Sequence, residues 1–300
     1  MKRMLLIVNP YSGQKRAAKF LPEIIALFNR AEYEVVVHIT GSQGDAAIVA
    51  EKRSRDMDLL VCCGGDGTLN ETITGVIRAG ATTPIGYIPA GSTNDFASSL
   101  KLSNNILQAA QDILDGEPVA YDIGKFGDRY FSYVASFGAF TKSSYATPQY
   151  VKNALGHTAY VLGGITELSQ IRKERVHMEI DGRVVEDDFL FGAICNSTSV
   201  GGILTLDPKK VDMADGKFEI LLVRAPKSLA EIPECLLAMQ NQAFENCAMV
   251  TFCSASRVKI YADPNMLWTL DGEKEEGHEM VEVENLHRAI RLIQKVNKDV

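Results

Sequence analysis

Residues 64–68 read Gly64-Gly65-Asp66-Gly67-Thr68, set between an apolar run, Leu59–Cys63, and an amphipathic stretch, Leu69–Ala79. Glycines without a Cβ let backbone amides approach a bulky anion and take up positive φ. Amides at such a turn, and at the start of a helix, suit phosphate oxygens. Thr68 adds a hydroxyl donor, whereas Asp66 would repel phosphate unless a divalent cation such as Mg2+ bridged the two. Taken alone, the stretch also reads as a plain Asp-Gly turn between strand and helix. Two further loops have the same make-up: Asn9-Pro10-Tyr11-Ser12-Gly13 after Met4–Val8, and Gly91-Ser92-Thr93-Asn94-Asp95-Phe96 after Ile85–Pro89. Each is weak by itself, but three at strand ends on one sheet converge on a phosphorylated ligand, because open α/β sheets bind outside the carboxyl ends of their strands.

Standard nucleotide fingerprints are not met. Asn70 stands where the dinucleotide pattern needs Gly or Ala, and no GxxxxGK[ST] run occurs. This argues against a Walker-type ATPase and an NAD-dependent dehydrogenase. Hydrolase chemistry has little support, since there is no G-x-S-x-G elbow and His38, His157, His177, His278 and His287 are scattered. The six cysteines show no CxxC spacing, so buried free thiols are expected rather than a zinc site.

The elements that must position these loops are legible from periodicity. Met4–Val8, Val35–Ile39, Leu59–Cys63 and Ile85–Pro89 read as buried strands. They alternate with helical stretches around Ala17–Phe28, Asp45–Arg53, Leu69–Ala79 and Ile106–Leu114. Such alternation predicts a three-layer α/β domain over residues 1–125 with a mostly parallel sheet. From 126 to 286 the pattern changes to short strands: Val119–Phe126 leads in, and Tyr130–Phe137, Val176–Ile180, Arg183–Glu186, Phe189–Cys195, Phe218–Val223, Met249–Cys253, Arg257–Tyr261, Leu267–Leu270 and Met280–Val283 follow. Asp181-Gly182 marks a hairpin, and Ser228–Gln240 is a helix that Pro233 forces to start late or kink. This predicts a larger, mainly antiparallel β-sandwich domain. Whether the tail 287–300 returns to the first domain is left open.

With 300 residues, two domains are expected. A net charge of −7 argues against a nucleic-acid partner. No apolar run is long enough to span a bilayer, and the opening one is too short for a signal peptide; a soluble, cytoplasmic protein is the expectation.

The loops, together with Asn196-Ser197, Gly201-Gly202, Asp215-Gly216 and Asp271-Gly272-Glu273, run in one order from residue 9 to 273. As a set they resemble the diacylglycerol kinase catalytic-domain family of soluble lipid kinases, which includes sphingosine kinases and is related to NAD kinases. The resemblance implies ATP and Mg2+ as cofactors and two domains with ATP in a cleft. The implied nucleotide residues are Asn9, Pro10, Tyr11, Ser12, Gly13, Thr40, Gly64, Gly65, Asp66, Gly67, Thr68, Leu69, Asn70, Glu71, Ser92, Asn94 and Asp95. Ser92 departs from the family's usual Thr but keeps the hydroxyl. A structural Mg2+ is implied at Asp212, Asp215 and the backbone carbonyl of Lys217; a solvated acidic turn is the blander alternative.

Phosphoryl transfer needs a group to take the proton from the attacking hydroxyl. Glu273 matches the family's catalytic Glu, with Asp271 expected to support it in a hydrogen-bonded network. Read bare, Asp271-Gly272-Glu273 is a turn in an acidic stretch. The implied activity is ATP-dependent phosphorylation of the hydroxyl of diacylglycerol, or a related lipid, to phosphatidic acid; an NAD kinase and a non-catalytic nucleotide- or lipid-binding protein are the alternatives. A lipid substrate implies transient, peripheral contact with the inner membrane surface. A local basic patch, Arg172-Lys173 with Arg175 or Lys209-Lys210, is expected to serve it, and the apolar stretch Tyr145–Ile171 is a candidate acyl-chain lining. The sequence does not fix the oligomeric state, and a homodimer is compatible with it.

Overall fold

The computed structural model describes residues 1–92, 94–139, 172–200 and 204–295. The candidate acyl-chain stretch 145–171, Thr93 and Gly201-Gly202 lie outside the described residues. The chain divides into two compact units, Met1–Ile123 with His287–Val300, and Gly124–Leu286.

The first unit runs β1 (Lys2–Val8), α1 (Arg16–Lys19), α2 (Leu21–Arg30), β2 (Tyr33–Ile39), α3 (Asp45–Arg53), β3 (Leu59–Gly64), α4 (Asp66–Ala79), β4 (Ile85–Pro89), α5 (Asp95–Ser99), α6 (Ile106–Asp115) and the start of β5 (Glu117–Phe126). The strands order as β4-β3-β1-β2 and pair in parallel. Five successive residues of β1, Met4 to Val8, are buried, as a strand covered on both faces requires. Met4, Leu6 and Val8 join Ile24 and Phe28 of α2 and Ile106, Ala110 and Ile113 of α6 in one core. On α4, a Cβ at Gly75 would sit 2.3 Å from the carbonyl oxygen of Ala47, so the approach of α3 to α4 requires glycine there. The tail question resolves toward this unit. The last strand pairs Leu292 in parallel with Ile85, and the fully buried carboxylate of Asp122 accepts from the amide of Arg288 at 2.7 Å.

The second unit holds the rest of β5, then β6 (Arg129–Phe131), β7 (Val134–Gly138), β8 (Glu174–Ile180), β9 (Arg183–Cys195), β10 (Ser199–Val200), β11 (Leu204–Thr205), β12 (Phe218–Arg224), α7 (Glu231–Asn241), β13 (Val250–Ala255), β14 (Arg257–Ala262), β15 (Trp268–Leu270), β16 (Glu273–Glu275) and the start of β17 (Met280–Gln294). Its pairings are antiparallel, in the order β16-β15-β7-β9-β8-β14-β17, with β12 on β9 and β13 on β12. Alternating β8 residues Val176, Met178 and Ile180 face a core in which Trp268 lies 4.9 Å from both Phe126 and Phe137, centroid to centroid.

Three expected elements come out differently. Arg183–Glu186 and Phe189–Cys195 are one strand, β9, because the polar middle Asp187-Asp188 still pairs with β8. The single strand expected over Tyr130–Phe137 is broken into β6 and β7, since the amides of Ser132, Tyr133 and Val134 all turn to the Asp271 carboxylate. The helix after β3 starts at Asp66 rather than Leu69, which places Gly67 and Thr68 in its first turn.

Candidate active site

In the first unit the three glycine loops follow β1, β3 and β4, which are neighbours in the sheet, so they share one rim. They are in backbone contact. A Cβ on Gly13 (φ +48°) would lie 2.0 Å from the carbonyl oxygen of Ala90, and one on Gly91 would lie 2.7 Å from the Cα of Gly65. Side chains would hold these loops apart. Asn9 ties two of them, its Nδ2 donating to Thr68 Oγ1 at 3.0 Å while its Oδ1 accepts from the amide of Tyr11 at 3.0 Å. Asn94, at φ +54°, closes the third, with Oδ1 accepting from the Gly91 amide at 2.9 Å and Nδ2 donating to the Gly91 carbonyl at 3.1 Å. The first amides of α4 have no acceptor within their own helix, and its dipole adds partial positive charge at the same rim.

Asp66 occupies the first position of α4. Its carboxylate accepts from the Asp95 amide at 3.0 Å and the Phe96 amide at 3.4 Å, capping α5. Burial pushes its carboxyl above the usual range, against the pull of the Asp95 amide, and the nearby Asp95 charge adds to the rise. Glu71, one turn along, accepts from the amides of Gly44 (2.7 Å) and Ala46 (3.2 Å) and so anchors the start of α3, next to Thr40, whose amide donates to Val8. Leu69 is fully buried and its amide donates to Gly65 within the helix, so its side chain belongs to the core rather than to a ligand site. Pro10, Ser12, Gly64 and Asn70 lie in or beside the rim loops; Tyr11 and Ser92 are exposed.

In the second unit, Asp271 (φ +49°) and Gly272 (φ +78°) form a two-residue turn of the type that positive φ at both positions defines. The turn joins β15 to β16, which opens on Glu273. Asp271 is buried, and its carboxylate accepts from the amides of Ser132 (2.6 Å), Tyr133 (2.9 Å) and Val134 (3.1 Å). Glu273 is half-exposed, with Arg129 Nη2 3.4 Å from its Oε2. Arg129 carried no sequence signal, because its partners Glu273 and Glu275 lie 144 and 146 residues further along the chain.

Asp212 and Asp215 are exposed in the turn before β12, each accepting from an amide two residues on, Ala214 at 3.0 Å and Lys217 at 2.9 Å. The Lys217 carbonyl accepts from Asn285 Nδ2 at 3.0 Å and keeps a second lone pair. Sequence reasoning missed Glu219, a carboxylate inside the apolar strand Phe218–Arg224, which is itself the signal that could have found it. Its Oε2 is buried without a partner, and burial together with the Asp215 and Asp212 charges pushes its carboxyl up to about 8. Among the described residues no three His, Cys, Asp or Glu side chains form a ready-made cage. Mg2+, though, commonly takes one or two carboxylates and fills the rest of its shell with water. Two exposed aspartates and a carbonyl with a spare lone pair are donors of the kind a divalent cation takes.

The expected basic patch is largely neutralised. Arg172 pairs with Glu174 and Asp263, and Arg175 pairs with Glu186 and Asp188. The Lys210 ammonium donates to the Gln242 carbonyl at 2.7 Å and lies 5.0 Å from the centre of the Phe244 ring. All six cysteines are free thiols, five of them buried. Among the described residues no helix is long and apolar enough to cross a membrane.

A glycine-lined rim on a parallel α/β sheet, in a chain that continues into an antiparallel β-sandwich, is the architecture to be compared with known proteins. Residues 3–126 match the family described as diacylglycerol kinase catalytic domain, and residues 136–294 match the YegS C-terminal NAD kinase beta sandwich-like domain. The chain is 32% identical over 300 residues to a diacylglycerol kinase of Bacillus subtilis (strain 168), covering 99% of this chain and 98% of the relative. It is 33% identical over 273 residues to a diacylglycerol kinase of Staphylococcus carnosus (strain TM300), covering 91% and 89%. A crystal structure of a diacylglycerol kinase from Bacillus anthracis str. Sterne shares the fold, with a TM-score of 0.74 at 22% identity over 100% of this chain and 98% of that one. A second crystal structure from the same organism superposes with a TM-score of 0.79 at 26% identity, covering 100% and 96%. The chain belongs to the diacylglycerol kinase catalytic-domain family, a family of lipid kinases.

Proposed function

We propose that this protein transfers the γ-phosphoryl group of ATP to the free hydroxyl of diacylglycerol, or a closely related lipid, giving phosphatidic acid and ADP. The observation that carries the reading is the rim of the first unit: Gly13, Gly65 and Gly91 let three loops meet backbone to backbone at the start of α4. Such a surface presents amides to phosphate and has no room for side chains. Thr68 and Asn9 add polar side chains beside it. Asp66, whose carboxylate caps α5 beside the same helix, adds negative charge there that a divalent cation bound with the triphosphate would offset. Glu273 accepts the proton of the lipid hydroxyl as its oxygen forms the new bond to phosphorus and the bond to ADP breaks. The names of the relatives support a lipid acceptor.

The experiment is transfer from labelled ATP with Mg2+ to a panel of lipids in mixed micelles, with NAD as a control acceptor. Diacylglycerol should be labelled, and Glu273→Gln should abolish turnover while leaving ATP binding near wild type. Labelling of NAD in place of every lipid would replace this reading with an NAD kinase, and a Glu273→Gln enzyme with wild-type kcat would remove the base assignment.

A further inference from the structure

Glu273 and Glu275 are two residues apart on β16 and therefore point to one face of the strand. Opposite them, Arg129 opens β6 after the Gly127-Asp128 turn. Its two terminal nitrogens divide unequally. Nη1 is 2.5 Å from Glu275 Oε2, whereas Nη2 is 3.4 Å from Glu273 Oε2. Glu275 is well fixed, since its side chain is 13% exposed and its Oε1 accepts from the Glu276 amide at 3.2 Å. The guanidinium is thus anchored by one carboxylate and offers its remaining edge to the other.

We propose that Arg129 is a positioning residue for Glu273: Glu275 anchors the guanidinium, which engages Glu273 Oε2 and so turns Oε1 toward the substrate hydroxyl. This rests on the reading of Glu273 as general base. A planar fork with fixed donor directions suits the task, where a lysine would supply charge without the second contact. The long contact to Glu273 matters as much as the short one to Glu275. A base locked in a tight ion pair would have to break it to take a proton, whereas a loosely held carboxylate is oriented and still reactive. Arg129 and Glu273 are each 43% exposed, and exposed ion pairs add little to stability, so removing the arginine should leave the fold in place.

The test compares Arg129→Gln, Arg129→Lys, Glu275→Gln and Glu273→Gln in the mixed-micelle diacylglycerol assay, with thermal melting of each protein. Arg129→Gln should lower kcat about 10- to 100-fold, the usual scale for a misplaced catalytic group, with KM for ATP and melting temperature unchanged. Arg129→Lys should recover part of the loss, and Glu275→Gln should show a smaller kcat defect of the same kind. The inference is overturned if Arg129→Gln keeps kcat within twofold while Glu273→Gln is inactive. It is equally overturned if Arg129→Gln and Arg129→Lys lose activity and melting temperature together, which marks a structural role. If Glu273→Gln itself keeps wild-type kcat, the base reading has failed and the positioning proposal is overturned with it.

Discussion

Asp271 offers the sharpest stability prediction, because its carboxylate accepts from three successive backbone amides. Asp271→Asn changes shape little but replaces one acceptor oxygen by an NH2 group. If the amide oxygen takes the place of Oδ1, the amides of Tyr133 and Val134 keep their acceptor, and the new NH2 faces the amide of Ser132 across a former 2.6 Å bond. The flipped amide would sacrifice two bonds instead of one. One charged hydrogen bond is worth about 1.5–3 kcal/mol, and an orphaned buried donor costs about 1–3 kcal/mol. A loss of about 3 kcal/mol follows, and Asp271→Ala, which orphans all three amides, should cost more. A chain of two units need not unfold in a single step, so the measurement is native-state hydrogen exchange at residues 132–134. About 3 kcal/mol corresponds to roughly 100-fold faster exchange. Glu273→Gln, two residues away, should leave that protection unchanged. Wild-type protection in Asp271→Asn would show that the carboxylate does not hold the break between β6 and β7.

The remaining predictions concern the rim and the buried carboxylate. Gly91→Ala places a Cβ 2.7 Å from the Cα of Gly65 and should lower ATP affinity at least tenfold by calorimetry; unchanged affinity would remove the rim from nucleotide binding. Glu71→Ala strips the acceptor from the Gly44 and Ala46 amides and should cost about 1–2 kcal/mol, as loss of a helix cap does, seen as faster exchange over residues 41–46. Glu219 keeps its proton in the folded chain up to about 8, against 4.5 unfolded. Metal-free protein should therefore lose ~1.4 kcal/mol of stability per pH unit from about 4.5 to about 8. Glu219→Gln should abolish that slope in melts run with EDTA, and parallel wild-type and variant curves would contradict it.

The fold was legible because its signals are local. Unbroken apolar runs such as Met4–Val8 announce a strand buried on both faces, and the shift to short strands from residue 126 on announces the sandwich. What escaped the sequence depends on partners far along the chain. Tyr130–Phe137 has the composition of one strand, and only the Asp271 carboxylate, some 140 residues later, breaks it by capturing three amides. Leu69 and Glu71 lie in a glycine-rich run that suggests ligand contact throughout, yet helical geometry turns Leu69 inward and gives Glu71 to α3. Arg172 and Arg175 read as a basic patch until the sheet brings acids beside them.

The Asp271-Gly272-Glu273 turn shows why neighbouring carboxylates must be separated by environment rather than by type. The turn's positive φ values send the Asp271 side chain inward to three amides and start β16 at the next acid, which is half-exposed. Three amides hold the Asp271 carboxylate in place, whereas Glu273 is half-exposed, with Arg129 at 3.4 Å. The first acid holds the strand break through three amides, and the second meets Arg129. A change at Asp271 is therefore expected to reach Glu273 by moving β16.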